Sequence, residues 1–281
     1  MDMVKTISDF AEQVRSRVPL VHNITNYVTV NDVANAELAI GGSALMADDI
    51  DEVADMVKIA NATNINIGTL NSRTIKSMLE AGKQGNETKT PVIFDPVGAG
   101  ASTLRNDTTR AFLDQVRPTV IRGNLSEMSF VAGLDASTRG VDSAAADSEN
   151  DAIAVAQSVA SAYRCVAAVT GAVDIVTDGT RVVKISNGTP LMSKITGTGC
   201  MCDGVIGCFA GALDDFTDSD ALLDATAAAI CSMGLAGELA EQDLKGMGAL
   251  VGTGSLHIGI IDRLSLLNAD DYRLHAKVEV A

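Results

Sequence analysis

The chain predicts a single α/β domain spanning residues 1–281, built on a mainly parallel sheet covered by helices on both faces. Three observations carry that expectation. Short apolar runs alternate with helix-like stretches of roughly 10 to 20 residues, the rhythm of βαβ units. At 281 residues and 47% hydrophobic content the chain can bury one large core. No repeat of fixed period interrupts that pattern.

In order along the chain, a helix is expected over 49–60 and a strand over 64–67, where Ile65 and Ile67 alternate with asparagines. A helix over 71–82 leads to the apolar run 91–95. A helix over 103–116 then leads to the run 119–122. Residues 135–151 are rich in Asp, Ser and Ala and poor in large apolar residues, so an insertion is expected there, too short to link independent cores. A helix over 150–162 precedes the strand 166–170. Residues 173–177 and 181–185, joined through Asp178-Gly179-Thr180, read as an antiparallel hairpin at a sheet edge, because Asp-Gly suits a tight hairpin turn. Helices over 200–211 and 219–241 follow. The second is Ala-rich, and Asp224 and Glu238 interrupt it, which fits a buried core helix better than a membrane span.

The formal charge of -15 argues against nucleic acid or an anionic membrane as partner, since both select for clustered Lys and Arg. A small-molecule partner is expected instead. The five cysteines are odd in number and lack metal-ligand spacing, and the N-terminal stretch shows no secretory signal, so a reduced, cytoplasmic setting is expected.

In open parallel sheets ligands gather at the carboxyl ends of the strands. Those ends carry Asp95-Pro96-Val97-Gly98-Ala99-Gly100, Arg122-Gly123-Asn124-Leu125-Ser126-Glu127 and Thr170-Gly171. The stretch Thr196-Gly197-Thr198-Gly199-Cys200 reads as a glycine turn opening onto a helix, where free amides and the helix dipole can cradle a phosphate. Cys200 is expected at the first helical position, with its thiol pKa lowered by the helix N-terminus. Asp95 and Glu127 suit Mg²⁺, which binds few protein oxygens, and Arg122 suits a phosphate. Each residue also has an ordinary reading: Asp95 as a turn former, Glu127 in a first helical turn, Arg122 in an ion pair. His22 reads as a strand-end hydrogen-bonding group or a functional one, His257 as structural, Cys202 as packing, and Gly98 and Gly100 as a turn or a close approach to nucleotide. No Walker pattern is present.

Taken in order, His22-Asn23-Ile24-Thr25-Asn26-Tyr27-Val28, Gly42-Ser43-Ala44-Leu45-Met46-Ala47, the three strand-end segments, the glycine turn and Gly252-Thr253-Gly254-Ser255 resemble the hydroxyethylthiazole kinases over nearly the whole chain. The resemblance implies a ribokinase-like three-layer α/β/α sandwich and homotrimers with active sites at subunit interfaces. It also implies ATP- and Mg²⁺-dependent phosphorylation of the primary alcohol of 4-methyl-5-(2-hydroxyethyl)thiazole in thiamine salvage. Met46, Gly197 and Asn26 are then the thiazole-binding positions, and Arg122, Thr170 and Gly199 the ATP-binding ones. Asp95 and Glu127 stand around the metal, and Cys200 takes the place where wider relatives carry an Asp base. Two alternatives stay open. One is another ribokinase-like enzyme, a hydroxymethylpyrimidine kinase or a nucleotide-dependent hydrate dehydratase; the other is a non-enzymatic thiamine-pathway binding protein.

Overall fold

The computed structural model describes residues 2–134, 145–248 and 250–281. Eleven helices and nine strands are described. The chain begins α1 (Met3–Arg17), β1 (Leu20–Ile24), α2 (Val30–Ile40), β2 (Ser43–Met46), α3 (Val53–Ile59), β3 (Ala62–Asn66), α4 (Ser72–Thr88), β4 (Val92–Asp95), α5 (Thr103–Gln115) and β5 (Val120–Asn124). It continues α6 (Leu125–Val131), α7 (Ala145–Tyr163), β6 (Val166–Thr170), β7 (Asp174–Thr177), β8 (Val182–Ile185), α8 (Thr198–Gly211), α9 (Ser219–Gly246), α10 (Thr253–Leu266), α11 (Ala269–His275) and β9 (Val278–Val280).

The strands form one sheet in the order β2-β1-β3-β4-β5-β6-β7-β8-β9. The six from β2 to β6 are parallel and the last three antiparallel. Successive strand residues point to opposite faces. Ile93, Val120 and Ala168 therefore enter a core with α1, α2, α8, α9, α10 and α11. Phe94, Ile121 and Ala167 enter a second core with α3 to α7. Two apolar cores, one on each face of the sheet, make the expected three-layer sandwich.

Several boundaries differ from expectation. The hairpin β7–β8 does not form the edge, because β9 pairs antiparallel with β8. That contact joins residues far apart in sequence through a strand too short to signal itself. At the other edge β2 pairs with β1, in a region where residue patterning named no strand. The helix expected from 49 starts only at Val53, and α4 runs on to Thr88. Of the expected insertion, residues 135–144 lie outside the described residues; α7 takes up the rest. Within α9 the apolar stretch long enough to span a membrane is wholly buried. Its Asp224 receives Arg181 Nη2 at 2.8 Å and its Glu238 receives Lys277 Nζ at 2.8 Å, which explains two acids in a core helix.

Candidate active site

The site forms where the amino end of α8 crosses the carboxyl ends of the parallel strands. In the pairing of β3 with β4, Asn66 stands opposite Asp95. Asp95 and Arg122 lie on the same side of the sheet as Ile93 and Val120, two residues earlier on their strands, so both face α8. From α8, Cys200 and Asp203 project one turn apart.

Gly197 caps α8 with φ +89°, and a Cβ there would lie 2.5 Å from Thr29 Cγ2. A Cβ at Gly199 would lie 2.7 Å from Arg122 Nη1. The two glycines thus let Thr29 and Arg122 pack directly against the backbone that opens the helix. The helix begins at Thr198, so Cys200 is its third residue rather than its first.

The side chains here are buried and mutually bonded. Arg122 Nη1 is 3.4 Å from Asp95 Oδ2 and 3.6 Å from Asp203 Oδ1. Asn66 Nδ2 reaches Asp95 Oδ2 at 3.0 Å, Asp203 Oδ2 at 3.1 Å and Cys200 Sγ at 3.4 Å. Asn26 Nδ2 donates to Cys200 Sγ at 3.0 Å. The ligand-type atoms of Asp95, Cys200 and Asp203 all lie within 4.8 Å of one another. Burial pushes the Asp95 carboxyl well above the usual range, reinforced by Asp203, while Arg122 opposes the shift. Burial likewise lifts Asp203 to about 6.

Cys200 corrects an expectation. Its thiol is raised, not lowered, because burial outweighs the hydrogen bonds from Thr29 and Asn26 and the charge of Arg122. At neutral pH it is a thiol. Cys202 is buried and pushed up to about 12 by desolvation, in line with a packing role.

A cleft of about 690 Å³ opens beside α8, lined by Arg122, Asn124, Thr170, Thr198, Gly199 and Met233 among others. The structure thus brings the three expected ATP residues, Arg122, Thr170 and Gly199, to the same cleft. Asn26, Gly197 and Cys200 meet on the other side of the helix start, with Thr29 between them. Met46 ends edge strand β2, partly exposed, outboard of β1. Glu127 stands apart from the acidic cluster: Oε1 accepts the Gly98 amide at 2.8 Å and Oε2 the Asn124 amide at 2.9 Å, closing a capping box with Asn124. The Gly98 and Gly100 amides are taken by Glu127 and Asn106, so that segment is a turn.

His22 is buried in the middle of β1 rather than at its end, its Nε2 2.8 Å from Ala47 O, and burial lowers its pKa, so it is a neutral hydrogen-bonding group of the sheet. His257 Nε2 lies 3.1 Å from Asp32 Oδ1, where α10 packs beside α2. Sequence reasoning missed Asp203 and Asn66. The signals were present: an Asp three residues after Cys200 in an otherwise small and apolar helix, and asparagines alternating with isoleucines in a strand buried on both faces.

The family model described as "Hydroxyethylthiazole kinase family" matches residues 11–270. A hydroxyethylthiazole kinase of Ruminiclostridium cellulolyticum is 51% identical over 278 residues, covering 99% of this chain and 98% of the relative. The solved hydroxyethylthiazole kinase of Pyrococcus horikoshii OT3 superposes with a TM-score of 0.87 at 36% identity, covering 99% of both chains. At 14% identity, a Staphylococcus aureus pyridoxal kinase in complex with AMP-PCP shares the fold, with a TM-score of 0.58 over 93% of this chain and 97% of its own. A family match over residues 11–270 and relatives half identical over nearly the full length leave neither a pyrimidine kinase nor a hydrate dehydratase as the parent group: the chain belongs to the hydroxyethylthiazole kinase family.

Proposed function

We propose that this enzyme phosphorylates the primary alcohol of 4-methyl-5-(2-hydroxyethyl)thiazole with ATP, in thiamine salvage. The observation that carries the reading is the placement of Cys200. Its Sγ takes the Asn26 amide on one side of the α8 start, while Gly199 and Arg122, one residue back and one strand over, line the cleft on the other. An alcohol beside Cys200 and a phosphate beside Gly199 would then meet across one helix start.

In this reading the adenine nucleotide occupies the cleft lined by Arg122, Thr170 and Gly199, and the α8 amides with the Arg122 guanidinium stabilise charge on the transferred phosphoryl group. Asn26, Gly197 and Met46 hold the thiazole, Met46 offering a polarizable thioether to an aromatic ring. Cys200, a thiol at neutral pH, orients the hydroxyl, whose proton leaves late to a phosphate oxygen or water; this suffices because phosphoryl transfer depends more on positioning and charge stabilisation than on early deprotonation.

The residues present fit Mg²⁺. Asp95 Oδ1 and Asp203 Oδ1 are buried without a hydrogen-bond partner, and hard cations take carboxylate oxygen. Asp95 would hold the ion with Asp203 beside it, and Glu127 would act by holding the Asp95–Gly98 loop and adding negative charge at that edge. Bound there, the ion would neutralise phosphate charge. A homotrimer with shared sites is supported by the exposed apolar residues beside the substrate half, Tyr27 at 79% and Val28 at 56% exposure, next to Asn26. Five free cysteines suit a cytoplasmic location.

The test is a coupled ADP-release assay with the thiazole alcohol beside pyrimidine alcohols, with the product identified by mass. Thiazole phosphate is expected; its absence from folded protein overturns the reading.

A further inference from the structure

We infer that Asn66 is a positioning residue that sets the distance between the alcohol half and the phosphate half of the site. This rests on the kinase reading above and deepens it. Among the described residues, Asn66 is the one side chain hydrogen-bonded to all three of Asp95, Asp203 and Cys200. Its other face accepts the Gly68 amide at 2.9 Å and Asn26 Nδ2 at 3.3 Å. Asn26 also donates to Cys200. One amide therefore spans four groups that come from the loop after β1, from β4 and from α8.

The residue is itself rigidly held. It is fully buried, at the last position of β3, in register with Asp95. Its Oδ1 is fixed by a backbone amide, so the Nδ2 group cannot flip away without stranding the Gly68 N–H. A Cβ at Gly68 would lie 2.9 Å from Asn66 Oδ1, so the chain leaves room there for this amide and nothing larger. A neutral amide is the chemistry such a place requires: an apolar group would leave buried carboxyl oxygens without a donor, and a carboxylate would add a third acid to a site holding two. The Nδ2 group has two hydrogens for three acceptors, so it orients the carboxylates and the thiol relative to each other.

The experiment compares Asn66→Leu, close in volume without polar atoms, and Asn66→Asp, equal in shape without the N–H donors. Steady-state kinetics with the thiazole alcohol and ATP are measured on each, with the unfolding midpoint recorded separately so that measurements are made where the variant is folded. A positioning role predicts a loss of kcat of at least thirtyfold in both variants while KM for each substrate stays within threefold, since misplaced reacting groups bind substrate but do not align it. A kcat within fivefold of wild type in either folded variant, or a rise in KM with kcat retained, overturns the inference. If the wild-type enzyme itself makes no thiazole phosphate, the kinase reading fails instead. Should Asn66→Leu not fold, the isosteric Asn66→Asp carries the test alone.

Discussion

Glu127 offers the sharpest quantitative test, because its sequence-derived role around the metal and its observed role as a clamp predict different outcomes. Each of its oxygens accepts one backbone amide, from Gly98 at 2.8 Å and Asn124 at 2.9 Å. Glu127→Gln keeps one acceptor and turns the other into an NH₂ group facing an N–H donor. Hydrogen bonds to charged groups contribute roughly 1.5–3 kcal/mol. The residue is only half-buried, so a loss of about 2 kcal/mol in unfolding free energy is expected. For a domain of this size that corresponds to a fall of about 5 °C in the unfolding midpoint. Calorimetry in the absence of Mg²⁺ and nucleotide isolates the clamp from any contribution of ligand binding. A midpoint within 1 °C of wild type in that state, accompanied by a raised Mg²⁺ requirement, would refute the clamp and return Glu127 to direct metal binding.

Asp95→Asn should fold normally, since burial already favours the neutral form of this side chain, yet raise the Mg²⁺ concentration needed for half-maximal turnover by tenfold or more; an unchanged requirement in ADP-release titrations means the cation sits elsewhere. Cys200→Asp should remain active at saturating Mg²⁺ while Cys200→Ser loses several-fold in kcat; near-background turnover by the Asp variant with thiazole and ATP binding preserved would show that the thiol shapes the pocket rather than orienting the hydroxyl. Gly197→Ala must adopt φ +89° and displace Thr29, so KM for the thiazole should rise by tenfold or more, and a variant with wild-type KM would remove Gly197 from the substrate half. The carboxyls of Glu37, Asp95 and Asp203 are all raised by burial, so the folded protein binds protons more tightly than the unfolded chain, and their stabilisation is present at low pH and lost as pH rises. For Asp203 that window runs from the ordinary 3.8 to about 6. The unfolding midpoint without metal should therefore fall across that window, and Asp203→Asn should flatten the fall; an equal pH dependence in the variant contradicts the assignment.

Much of the candidate site was legible because its residues follow apolar runs. A parallel strand buried on both faces announces itself by composition, and the fold then carries whatever comes next to the ligand edge. Asp95, Arg122 and Thr170 follow such runs, whereas the Gly197–Gly199 turn shows itself by its own glycines. Asp203 escapes a sequence reading because an acid inside a small-residue helix looks like a misfit until its partners Arg122 and Asn66 are seen. Asn66 reads in the sequence only as part of a strand, because its bonds run to residues 29, 134 and 137 positions away.

Local chemistry written along the chain determined the alternation of strands and helices, the glycine-opened α8 and the acidic and basic residues at the strand ends, since periodicity and turn preference act over a few residues. Tertiary structure alone decided three things. β9 covers the hairpin edge, because pairing β8 with a three-residue strand depends on where α11 delivers it. The Cys200 thiol is raised, because desolvation is a property of the packed site and here exceeds the pull of the helix end. Glu127 clamps Gly98 while Asp203 joins Asp95, because which carboxylates share a space depends on the crossing of α8 over the sheet, a distance that no spacing in the sequence encodes.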